Sequence, residues 1–280
     1  MKKIFFAIAV FSITLTFNAQ IKTPQASPRA NVFQTVGLTD VEVNYSRPGA
    51  KGRPVFGGLV AFGKLWRTGA NENTTISFSD DVIIDGKTLT KGKYALYTIP
   101  RIESWDIIFY TSTDNWGVPK EFNEANIALK TTIKAETLIK PVETLTINIT
   151  HLDTNFAYLE IFWENSYVAL KFEVPTQKTT LANIEKVLVG PTATDYYTAA
   201  NFLFQSGDNE KSLIYINRAL AMSTEKPFWY NRLKSLILAK QGDKKAAIEA
   251  AKLSLEAAEA AKNQEYIKMN KDSIAEWSKK

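Results

Sequence analysis

The chain of 280 residues contains no cysteine, a single histidine and only 10 prolines. Without cysteine there is no disulfide framework, no thiolate nucleophile and no thiolate metal site, and stability has to come from apolar burial. One imidazole rules out a site built from two, so the common histidine-rich zinc chemistries are excluded. No stretch of the sequence carries 18 consecutive apolar residues, the length that marks a membrane helix. A strong excess of charge of one sign is also missing, because 34 Lys and Arg face 29 Asp and Glu. Nucleic acid is therefore not an expected partner. What is present, 45% hydrophobic and 12% aromatic residues, is the composition of a folded globular protein.

The first residues read as an address. Lys2 and Lys3 precede an apolar stretch from Ile4 to Phe17, and Ala19 offers a small residue before Gln20. The stretch is too short for the ~20 residues that span hydrocarbon, so residues 1–19 are predicted to be a cleaved signal peptide. With no cysteine to carry a lipid, the expected product is soluble, periplasmic or extracellular, and not a lipoprotein.

Beyond that leader the chain divides into two alphabets. Residues 20–175 hold short alternating runs such as Val41-Glu42-Val43-Asn44-Tyr45, together with Thr75 to Phe78, Tyr94 to Ile99 and Trp105 to Tyr110. Asp85-Gly86, between Val82-Ile83-Ile84 and Thr88-Leu89, is a two-residue hairpin signal because a type I′ turn needs positive φ at both central positions. Leu145, Ile147 and Ile149 begin two further arms, with turns expected near Asn155 and Asn165. Strands joined by turns with no helices between them predict an antiparallel β-sandwich or barrel.

From residue 192 to 280 the sequence has 15 alanines, two glycines and one proline, which predicts an all-α domain. Val174 to Thr180 is expected to open a linker over residues 176–191, with a short helix before Gly190-Pro191. Gln205-Ser206-Gly207-Asp208 recurs as Lys240-Gln241-Gly242-Asp243, and Ser212, Ile216 and Ala219 correspond to Ala247, Ala251 and Ser254. These are positions where paired helices approach closely, and the pattern resembles a tetratricopeptide repeat pair. So short an array needs support from a neighbour or a second chain, so residues 192–280 are also a candidate surface for a protein partner or self-association.

Chemistry is concentrated in one segment. Val43 to Asn71 contains Arg47, Lys51, Arg53, Lys64 and Arg67 without one Asp or Glu. Tyr45, Phe56, Phe62 and Trp66 are interleaved with these cations, and guanidinium forks suit carboxylate, phosphate or acidic sugar. Arg47, Lys51, Arg53, Trp66, Arg67, Asn71 and Glu72 are accordingly the candidate ligand-binding residues for an anionic small molecule, a glycan or a lipid head group. The competing assignment pairs Arg47 and Arg67 with backbone carbonyls or with Glu42 and Glu72. Glu72 beside Arg67 is the single candidate catalytic acid or base, for a hydrolase or lyase acting on an acidic polymer. His151, continuing the row Leu145, Ile147, Ile149, is expected to point into the core. No nucleophile elbow completes a triad with it and Asp153. Asp80, Asp81 and Asp85 are read as turn and edge-strand charges, and Trp105, Trp116 and Trp163 as core. No phosphate-loop or dinucleotide fingerprint occurs, so no cofactor is predicted.

Ordered blocks across residues 27–175 carry a family resemblance. Ser27-Pro28, Gln34-Thr35-Val36-Gly37-Leu38-Thr39-Asp40, Tyr45-Ser46-Arg47-Pro48, Gly52-Arg53, Phe56-Gly57-Gly58-Leu59-Val60, Trp66-Arg67-Thr68-Gly69-Ala70-Asn71-Glu72, Gly92-Lys93-Tyr94 and Trp116-Gly117 resemble the bacterial domain of unknown function 2911. The resemblance implies a secreted β domain of Gram-negative bacteria, sometimes followed by tetratricopeptide-like helices. It implies no activity and no site.

Overall fold

The computed structural model describes residues 23–188 and 190–279, so the expected signal peptide lies outside the described residues. Among these residues nine strands precede six α-helices. The strands are β1 (Arg29–Val36), β2 (Thr39–Ser46), β3 (Thr75–Phe78), β4 (Val82–Ile84), β5 (Lys87–Leu89), β6 (Gly92–Pro100), β7 (Ser104–Tyr110), β8 (Ile127–Thr150) and β9 (Phe156–Glu173). They pair in the order β1-β2-β3-β6-β7-β8-β9-β4-β5, every ladder antiparallel.

β8 explains how one strand order yields two layers. Ile127 to Lys134 pairs with β7, and Ala135 to Thr150 pairs with β9, so the strand leaves one layer and enters the other. Between the layers lies a single core that takes Val41 and Val43 from β2, Ile107 and Phe109 from β7, and Leu159 and Phe172 from β9. Burying side chains of this size contributes roughly 1.5–3 kcal/mol each. Asp85 at φ 51 and Gly86 at φ 70 form the tight turn between β4 and β5, as the Asp-Gly signal predicts.

The sandwich is closed on one side by the chain that leaves β2. Ala50 N donates to Glu143 O at 2.8 Å and Leu145 N to Pro48 O at 3.0 Å, lacing residues 48–50 to the second half of β8. The Tyr45 hydroxyl caps the same seam, accepting from Ile147 N at 3.0 Å.

Two readings of the later strands need correction. The turn expected near Asn165 is absent: β9 runs unbroken from Phe156 to Glu173, and Glu164, at φ 51, marks an irregularity in its pairing with β8. His151 does not point into the core. It adopts φ 50 beyond the end of β8, which turns its ring outward against Tyr158, and Nε2 lies 3.6 Å from Glu160 Oε1.

The helices are α1 (Thr176–Val187), α2 (Ala193–Gln205), α3 (Asn209–Met222), α4 (Phe228–Lys240), α5 (Lys244–Ala260) and α6 (Gln264–Trp277). The polar residues Thr176 to Thr180, read from composition as linker, are the first turns of α1, which starts directly after Pro175 with Thr176 buried. The duplicated Gly-Asp pairs have nearly superimposable backbones. Gly207 and Gly242 take φ 89 and 90, and Asp208 and Asp243 then cap α3 and α5 by accepting from the third following backbone N–H. Ser212, Ile216, Ala219, Ala247, Ala251 and Ser254 are all fully buried, where the expected close approach puts them.

Candidate functional site

The basic segment folds as a run of turns over a nest of aromatic rings. Trp66 stacks on Trp163 at 5.8 Å, and Phe56 packs against Trp105 at 4.8 Å, so these rings form the floor of the loops. Trp66 and Tyr45 are buried, which removes them as broad exposed stacking platforms. Trp66 donates Nε1–H to Gly69 O at 3.0 Å and pairs through its main chain with Thr98, fixing the turn that follows it.

That turn is strained. Thr68 is a fully buried β-branched residue at φ 55, a conformation its side chain disfavours. Strain of this kind costs on the order of 1–3 kcal/mol and collects at functional sites. Here it is held by Thr74 Oγ1 donating to Thr68 O at 2.8 Å and Thr68 Oγ1 to Thr98 Oγ1 at 3.1 Å. Arg67 immediately precedes this turn.

The five cations separate into different roles. Arg47 is consumed by the seam, giving Nε to Leu145 O at 3.0 Å and Nη2 to Thr146 Oγ1 at 2.8 Å. Arg53 spends Nε on Ala50 O and Nη2 on Gly49 O, both at 2.9 Å, and so braces its own loop. Lys51 and Lys64 are exposed. Arg67 is half-buried, and its Nε is sequestered from solvent with no hydrogen-bond partner among the described residues. Partial burial pulls its pKa below the ordinary arginine value, because desolvation disfavours the charged form. None of the five forms an ion pair among the described residues.

Arg67, Lys51 and Arg53 meet at a hollow of about 350 Å³, walled by Leu59, Trp66 and Trp163. Its lining contains no carboxylate and no imidazole. Two acids serve the loop backbone: Glu143 Oε1 accepts from Lys51 N at 2.8 Å and Glu164 Oε2 from Val55 N at 3.0 Å. These two contacts bring carboxylates from β8 and β9 to a segment that has none of its own. An anion entering the hollow would meet Arg67 in a setting where a charge-assisted fork is strongest.

The remaining candidates belong elsewhere. Asn71, at φ 59, is a brace, donating Nδ2 to Ser27 O and Ser46 Oγ at 3.3 Å. Glu72 is not beside Arg67 in any pairing. Its carboxylate binds Arg29, and a hydrogen bond from its own backbone N–H, then Arg29, holds it below the ordinary carboxylate range. It lines a different hollow, of about 670 Å³, on the outer face of β1, β2 and β3. Sequence reasoning missed Arg29, which no local signal connects to Glu72. It also misassigned Trp116, which is 75% exposed while Trp105 and Trp163 are core as expected. On the helical half, two adjoining hollows of about 430 and 590 Å³ share Asn231, Lys234 and Leu253.

Comparison with known proteins returns one family. The family described as protein of unknown function (DUF2911) matches residues 27–172, which is more than half of the 280 residues. No curated protein and no solved structure matches the chain.

Proposed function

The chain belongs to the DUF2911 family of proteins of unknown function, and from that premise we propose that its β domain is a binding module for a small anionic ligand held by Arg67. The observation that carries this reading is the half-buried guanidinium whose Nε has no partner among the described residues, lining a hollow that also presents Lys51 and Arg53. A protein gains nothing in stability from burying an unpaired cation, so the group is explained by what it binds. The ligand carries a carboxylate or phosphate small enough for about 350 Å³.

A non-enzymatic role fits the chemistry at the hollow. No carboxylate or imidazole lines it, and Glu72, the candidate for proton transfer, is engaged by Arg29 in the other hollow. Export through residues 1–19 and recruitment of a protein through residues 192–280 complete the proposal. Isothermal titration of the chain from Gln20 onward with citrate, glucuronate and inorganic phosphate tests the site. Saturable binding by at least one anion, weakened at least about tenfold in Arg67→Ala, is expected for loss of a charge-assisted fork. Heat from none of the three, or unchanged affinity in the variant, overturns the proposal.

A further inference from the structure

The second hollow, which shares no lining residue with the basic one, has a different chemistry. Outward-facing positions of three paired strands form its floor. Asn31 of β1 lies opposite Asn44 of β2, and Asn44 lies opposite Thr75 of β3. The amides are pre-set: Asn31 Nδ2 donates to Asn44 Oδ1 at 2.9 Å, Asn44 Nδ2 donates to Glu42 Oε1 at 3.1 Å, and Asn31 bonds the same Glu42 oxygen. Those bonds hold the Glu42 carboxyl below its ordinary value, Asn44 first and Asn31 second, so it stays ionised and keeps both amides oriented.

Enough hydrogen-bonding capacity remains for a guest. Asn31 keeps its Oδ1 acceptor and Asn44 one Nδ2 proton. The Thr75 hydroxyl, Lys93 ammonium and Asp114 carboxylate line the hollow with no side-chain partner among the described residues. The charges of its lining balance, Arg29 and Lys93 against Glu72 and Asp114. Alternating donors and acceptors without net charge match a ligand whose every group both donates and accepts, which is the property of a hydroxyl.

The loop that supplies Thr113 and Asp114 to the lining continues to an exposed indole. Asp114 stands two residues before Trp116, whose indole is 75% exposed and supports no core. Its loop is nonetheless fixed: Asn73 accepts from Asn115 N at 2.8 Å, donates its own backbone N–H to Asn115 O at 3.0 Å, and gives Nδ2 to Thr113 O at 3.2 Å. A solvent-facing indole two residues beyond a lining carboxylate, on a loop anchored at Thr113 and Asn115, offers a face for the C–H surface of a sugar ring.

We propose that the hollow over Asn31, Asn44 and Thr75 binds an uncharged saccharide, with Trp116 stacking on one ring. The volume of about 670 Å³ accommodates one or two pyranose units. This site is independent of Arg67, and a failure there leaves it standing.

The test is a heteronuclear NMR titration of the chain from Gln20 onward with maltose, cellobiose and N,N′-diacetylchitobiose at millimolar concentrations. Saturable shifts of the Asn31 and Asn44 side-chain amides together with the Trp116 indole N–H are expected for at least one saccharide. Asn44→Ala and Trp116→Ala, both at exposed positions, are each expected to keep the spectrum of the folded chain and weaken binding about tenfold, while Arg67→Ala leaves it unchanged. No saturable shift with any of the three, shifts confined to Trp116, or affinity unaltered by both variants overturns the proposal.

Discussion

Glu72 lies next to the most basic part of the chain, yet its carboxylate binds Arg29, 43 residues before it, and Arg67 is left without a carboxylate. The register of β1 against β2 causes this. Arg29 stands opposite Ser46 at the strand end, where it reaches Glu72, whereas Arg67 lines the other hollow. Arg67 and Glu72, oppositely charged and five residues apart, therefore serve different surfaces.

The arginines should respond oppositely to removal. Arg47→Ala deletes bonds to Leu145 O and Thr146 Oγ1 and leaves a seam carbonyl unsatisfied, so a loss of about 1–3 kcal/mol is expected. Arg67→Met replaces an unpaired, half-buried cation by an apolar stem and should hold stability within about 1 kcal/mol of the parent, or raise it. Urea unfolding of both variants reads the difference. A large destabilisation in Arg67→Met would mean that the guanidinium has a structural partner.

Local signals were enough where local chemistry decides the outcome. Val41, Val43 and Tyr45 share a face because a strand repeats every two residues, Asp85-Gly86 turns because both positions need positive φ, and the paired Gly-Asp motifs cap α3 and α5 identically. Features fixed by distant pairing stayed hidden. β8 carries no glycine, proline or turn signal between Lys134 and Ala135, where its partner changes from β7 to β9. Asn165 looked like a turn, but Glu164 absorbs the irregularity within a continuous strand and reaches Val55 N. Trp116 looked like core because a tryptophan usually is, and only the loop anchored on Asn73 shows what holds it at the surface.

Gly37 marks a point where the β1–β2 hairpin has no tolerance. It adopts φ 58, and a Cβ there would overlap Thr154 O and the Thr176 hydroxyl at the start of α1. Backbone strain and collision add, so Gly37→Ala should cost at least about 2 kcal/mol. Gly86→Asn is the control, since the same left-handed backbone there faces open space and Asn tolerates it. Equal melting temperatures for the two variants would contradict this packing.

Asp106 should dominate one part of the acid response. The Arg101 fork first, then Lys130 and Thr132, hold its carboxyl far below the ordinary range against the opposing effect of burial. A depressed folded-state pKa gives stability that is full above the unfolded value of about 3.9 and is lost as pH falls below it toward the folded value. Asp106→Asn should therefore cost about 2 kcal/mol at pH 7. The gap between variant and parent should narrow by pH 3. Denaturant melts at the two pH values check this, and a gap that stays constant would remove Asp106 from the acid limb.

The helical half depends on a buried polar junction that no repeat pattern announces. Asn270 is fully buried on α6, donates Nδ2 to Ser254 Oγ of α5 at 2.9 Å and accepts from Arg232 of α4 at 3.4 Å, while Ser254 bonds Phe228 O at 2.8 Å. One amide thus ties three helices together, and truncating it takes one partner each from the Ser254 hydroxyl and the half-buried Arg232 guanidinium, which keep Phe228 O and Ser273 Oγ. Asn270→Ala should cost about 2–4 kcal/mol, because partners in a low-dielectric network lose more than the bond itself. Ser254→Ala alone should cost less, and the double variant should cost less than the sum of the singles because both remove the same contact. A double-mutant cycle by urea unfolding measures that shortfall. Strict additivity would show that Asn270 acts through packing and not through its bond to Ser254.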